Sequence, residues 1–143
     1  MVGDTYVTTP DCEPKRRRAV QELGRVVRPG GYMLLSSPNR LCPLDLFHRN
    51  GLPSHRPRVH RLSEPFLLSY GDYRKLLTEQ AGCASTRLLP VSNYWGFFSS
   101  SKYGLGRLVQ IPVRLYFAII SWPPLRWLLP SPFNPWLVVL ARK

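Results

Sequence analysis

Cysteine is scarce in this chain: Cys12, Cys42 and Cys83 are too few and too scattered for a disulfide framework or a Cys-x-x-Cys metal site. A disulfide-stapled secreted domain is thereby set aside, and a reducing, cytoplasmic setting is the default. Acidic residues are sparse too, eight Asp and Glu against twenty Lys and Arg, for a formal charge of +12. That balance favours an anionic partner, whether a phosphorylated substrate, a lipid surface or nucleic acid, and says nothing about the fold. No nucleic-acid fold signature accompanies the charge, so nucleic acid ranks behind the others. Long apolar runs are missing. The uncharged run from Leu115 to Leu125 falls far short of the ~20 residues that a membrane-crossing helix needs. With Trp122, Trp127 and two arginines at its flanks, the same segment can instead lie in a membrane interface, as a peripheral contact. An apolar leader is missing as well, since Met1 to Pro10 is polar and Arg16 to Arg18 are followed by an amphipathic pattern.

What is present suffices for one domain with a core: 143 residues, 44% of them hydrophobic. Residues 1–12 carry no periodicity and read as an irregular start. Pro14 suits a first helical turn that Asp11 can cap, and Ala19, Val20, Leu23, Val26 and Val27 then share one face. Lys15 to Arg18 crowd the helix N-terminus, where the macrodipole disfavours cations; a solvated face is the commoner meaning of such a run than a binding patch. The chain is organised around Arg28 to Arg40. Pro29 and Gly30 encode a type II turn, and Tyr32 to Leu35, apolar on both alternating faces, reads as a strand covered on both sides. Ser36 to Arg40 is then abruptly polar. In open α/β sheets ligands bind beyond the carboxyl ends of strands, which makes Ser37, Asn39 and Arg40 candidate substrate-binding residues, acting by orientation and not by covalent catalysis.

Residues 40–65 show no period and are rich in proline, arginine and histidine, as a substrate-side loop would be, with Arg40, Arg49, Arg56, Arg58 and Arg61 forming an electropositive cover. His48, His55 and His60 with Cys42 fit no short zinc motif, so no metal is assigned. A histidine there suits a general base near neutrality, but nothing selects one, and no catalytic residue is named. Ser69 to Gly82 is the clearest helix, with Ser69 and Asp72 in a capping-box relation and Tyr73, Leu76, Leu77 and Ala81 on one face. A strand follows over Ala84 to Val91. The aromatic, glycine-containing stretch after it offers Tyr94 as a weaker fourth substrate-binding candidate, packing against the sheet being at least as good a reading. The apolar segment 105–129 reads either as a helix over the last strands or as an interfacial segment. Asn134-Pro135 opens a final strand, Trp136 to Ala141.

The phrase ELGRVVRPGGYMLLSSPNR, from Glu22 to Arg40, resembles the helix-turn-strand signature late in the class I S-adenosylmethionine-dependent methyltransferases, especially those acting on small molecules. SYGDYRKLLTEQAG resembles the helix after that strand, STRLLPV the next strand and NPWLVVLARK the last, so the resemblance runs from about Pro14 to Lys143. It implies an α/β fold, the C-terminal half of a Rossmann-like sheet whose last strand runs antiparallel between the two before it, in a partial methyltransferase domain over 13–143. It also implies S-adenosylmethionine as cofactor and a small-molecule acceptor as substrate. The family's glycine-rich loop and the acid closing its second strand have no counterpart here. The expectation is therefore a substrate-side part, inactive alone, whose partner is a missing N-terminal half. The rival reading is a non-catalytic basic module that binds anionic lipid or nucleic acid.

Overall fold

The computed structural model describes residues 11–45, 58–59, 67–91 and 110–143. Its elements are α1 (Cys12–Val26), β1 (Tyr32–Pro38), β2 (Leu44–Asp45), β3 (Arg58–Val59), α2 (Tyr70–Ala81), β4 (Ser85–Leu88), α3 (Gln110–Ser121), a 3-10 helix (Pro123–Leu128) and β5 (Trp136–Arg142). The class is mixed α/β. Tyr94, the three histidines, and Arg49, Arg56 and Arg61 lie outside the described residues.

The expected turn joins α1 to β1: the Gly31 N–H donates to the Arg28 carbonyl at 2.9 Å. Gly30 sits at φ +76, which an L side chain rarely adopts. The chain's last residue locks this corner. The Lys143 backbone exchanges hydrogen bonds with Gly30 and Gly31, and its ammonium donates to the Gly24 and Val27 carbonyls, at the end of α1 where the macrodipole favours a cation.

β5 lies in the middle of a three-stranded sheet, antiparallel to β1 on one side and to β4 on the other. β1 and β4 therefore run parallel, with α2 between them in sequence. Leu137, Val139 and Ala141 of β5 are fully buried and join Met33, Val20, Tyr73 and Leu77 in the main core, beneath α1 and α2. α2 starts at the expected capping box, in which Ser69 and Asp72 exchange side-chain and backbone bonds, and it stops at Gly82 in the left-handed conformation.

Several expectations are refined. On α1 the buried face runs through Val20 and Gly24, while Leu23 and Val26 are exposed. The cause is a close crossing with α2, where a Cβ on Gly24 would lie 2.7 Å from the Ala81 Cα. Among the described residues β1 is covered on one face: Tyr32 and Leu34 are 61% and 64% exposed, and α1 and α2 lie on the other side. α3 meets the sheet by placing Phe117 and Ile120 beside Trp136 and Val91. Residues 40–65 contain a short ladder, with Leu44 opposite Val59 in β2 and β3. Lastly, Cys12 belongs to α1 and not to an irregular start. Pro112 does not break α3, since the third residue of a helix has no intrahelical bond for its nitrogen to lose.

Candidate substrate site at the end of the first strand

β1 ends in a polar corner built by Asn39. The fully buried Asn39 donates through Nδ2 to the Ser131 and Asn134 carbonyls at 2.9 and 2.8 Å, and its Oδ1 accepts from the Leu41 N–H at 3.1 Å. Its own N–H donates to the Pro135 carbonyl, and the next residue's to the Leu68 carbonyl. Three segments meet here: the end of β1, the turn before β5 and the lead-in to α2. Asn39, expected at the substrate pocket, has its amide engaged with backbone groups and lines neither of the two clefts described below; it positions its neighbours.

Ser37 and Arg40 line two adjoining clefts. The Ser37 hydroxyl accepts from the Tyr73 hydroxyl at 2.8 Å and donates to the Pro38 carbonyl at 3.1 Å. Burial pushes the Tyr73 phenol above its ordinary value, outweighing the bond to Ser37 and the charge of Arg16, so it stays protonated and donates. Arg40 pairs with the Asp72 carboxylate at 2.9 Å. Burial tends to raise Asp72, but the side-chain and backbone hydrogen bonds of Ser69, followed by the charges of Arg40 and Arg16, hold its carboxyl below the ordinary 3.8. A depressed folded-state value gives stability that is present above 3.8 and lost as pH falls through the lower folded value. Asp72→Ala is therefore expected to cost about 1 kcal/mol at neutral pH. Thermal melts of the variant and the parent should converge as the pH is lowered below the aspartate range.

Two clefts meet at Arg16, Leu68 and Leu76. One, about 330 Å³, is walled by apolar groups of Val20, Leu23, Leu35 and Trp136, with Ser36, Ser37, Tyr73 and the shared Arg16 as its polar contribution. The other, about 320 Å³, is charged, with Arg16, Arg17, Arg40 and Lys75 facing Glu13, Asp72 and Glu79. The combination can hold a mostly apolar molecule against a hydroxyl pair with a cationic flank. Among the described residues no cluster of His, Cys, Asp and Glu is disposed to hold a metal. Burial raises the Cys83 thiol despite the nearby Lys143, which leaves it a poor nucleophile.

Sequence reasoning missed Tyr73, Arg16 and Trp136. Tyr73 carried a usable signal: it is a phenol on the buried face of α2, and a buried tyrosine hydroxyl needs a partner. Arg16 and Trp136 carried none, because their place depends on how α1 and β5 meet β1.

The described residues do not fit the nucleoside cofactor of the resembled family. The paired glycines Gly30 and Gly31 sit at the amino end of β1, opposite the cleft, and their N–H groups are given to Lys143 and Arg28. No protein-family model matches the chain, and neither a curated protein nor a solved structure matches it.

Proposed function

We propose that this chain is the C-terminal, substrate-side part of a class I S-adenosylmethionine-dependent methyltransferase acting on a small acceptor, the C-terminal half of a Rossmann-like sheet. The observation that carries the reading is the strand order, with the last strand inserted antiparallel between two parallel ones joined through a helix. An apolar cleft at the carboxyl end of β1 supports it, since that is where open α/β sheets bind ligands. The acceptor would be a compact, largely apolar molecule, held by Leu35 and Trp136 and turned by the hydroxyls of Ser37 and Tyr73. Orientation is the contribution these residues make, because holding reactants in line supplies much of the acceleration of a group transfer. The cofactor-binding elements belong to another segment, which pairs with β1.

Calorimetric titration with S-adenosylmethionine tests the reading in two arms. The 143-residue chain alone is expected to give no saturable heat. The chain joined to the coding sequence upstream of Met1 is expected to bind. Low-micromolar binding by the chain alone, or an upstream sequence without a glycine-rich strand-turn-helix, would overturn it.

A further inference from the structure

α3 is apolar on two opposite sides. Phe117 and Ile120 point inward and are nearly fully buried against Val91, Val113 and Trp136. On the other side Ile111, Leu115, Ile119 and Trp122, spaced four, four and three residues apart, form a single stripe that is 47% to 78% exposed. Further exposed apolar residues lie beyond the helix. Trp127, on the 3-10 helix, and Phe133, in the turn before β5, are 69% and 63% exposed. The Tyr116 hydroxyl donates to the Phe133 carbonyl and ties that turn to α3. An apolar stripe of this extent on a chain carrying +12 calls for an occupant.

We propose that this stripe docks on an anionic membrane surface, α3 lying in the plane of the interface. Charge selects the occupant. From Gln80 to Lys143 the sequence holds seven Lys and Arg and no Asp or Glu, and exposed Arg114 and Arg126 stand on the two helices that carry the stripe. Tryptophan with arginine beside an apolar face is the composition of segments that sit among headgroups. The stripe lies on the side of α3 opposite Phe117 and Ile120, which pack toward Trp136 of β5. The docking is peripheral. α3 has 12 residues, and a helix of that length spans about 18 Å, well short of a bilayer's hydrocarbon core. Among the described residues no helix is long and apolar enough to cross a membrane.

The test is flotation of the chain with phosphatidylcholine vesicles with and without phosphatidylserine; flotation separates bound protein from aggregates, which sediment. Capture is expected only with phosphatidylserine, and loss of most of it is expected at roughly 0.5 M salt, where exposed charges are screened within a few ångströms. Leu115→Asp with Ile119→Asp should weaken capture by roughly tenfold or more, and Arg126→Gln by about fivefold. Quenching of tryptophan fluorescence by brominated lipid in the unaltered chain gives a readout that does not depend on a variant folding. Absence of capture at low salt would overturn the proposal. So would capture unchanged by these substitutions, absence of quenching in the unaltered chain, or a dimer without capture that the double substitution dissociates; the dimer would make the stripe a contact between copies.

Discussion

Asn39→Ala is expected to be among the most damaging single substitutions in the described part of the chain, at about 3 kcal/mol or more. The side chain is fully buried and makes three hydrogen bonds to backbone, two as donor and one as acceptor. Truncation removes all three and leaves the Ser131 and Asn134 carbonyls and the Leu41 N–H to find new partners, each such loss costing on the order of 1 kcal/mol. For a chain of this size that lowers the melting temperature by roughly 10 °C. Asn39→Asp should be at least as harmful at neutral pH, because a carboxylate would face two carbonyl oxygens and its charge would be buried. The Asn39 bonds also hold the turn before β5, and thus Trp136, against the end of β1. A melt within about 2 °C of the parent for both variants would show that the corner is held by other contacts.

The second large effect concerns the sheet edge. In the β1–β5 ladder, Asn39 donates to Pro135 and Lys143 to Gly31, so the amides of Met33, Leu35 and Ser37 face β5 and those of Tyr32, Leu34 and Ser36 face outward. Among the described residues no strand pairs with that outward edge. Leu34, 64% exposed, adds an apolar side chain beside it. An uncovered apolar strand with unpaired backbone groups is a template for pairing with another chain. The isolated chain is accordingly expected to self-associate, sedimenting well above its 16.5 kDa. Leu34→Lys, which charges the edge, should shift the population strongly toward monomer, while substitutions on the α3 stripe should not. A stable monomer of the unaltered chain in sedimentation velocity would contradict this.

How much of this was legible in the sequence follows the range of the interactions involved. The type II turn at Pro29-Gly30, the Ser69–Asp72 capping box and the Gly82 stop were readable because each is fixed by neighbours a few residues apart. Strand β5 was legible from its apolar run after Asn134-Pro135, and its place between β1 and β4 was expected from the family resemblance alone. The buried face of α1 was not legible. Apolar spacing pointed to Leu23 and Val26, whereas contact is decided by Gly24 meeting Ala81 across 57 residues of sequence. The exposure of Tyr32 and Leu34 was hidden for a similar reason, since an apolar strand reads alike whether or not a layer covers its second face. Of the four candidate residues, Ser37 lines the apolar cleft and Arg40 the charged one, at and just beyond the end of β1. The backbone bonds of Asn39 were not legible, because a polar residue at a strand end reads alike whether it meets a ligand or ties the chain to itself.

The claim that β1 is an interior strand of a larger sheet is tested most directly by amide hydrogen exchange along Tyr32–Ser37. In the Leu34→Lys monomer alternation is expected, with Met33, Leu35 and Ser37 slow and the amides at positions 32, 34 and 36 fast. In the chain joined to a cofactor-binding half, all six should be slow. Slow exchange at all six positions in the monomer would contradict it, for the edge would then be covered from within these 143 residues.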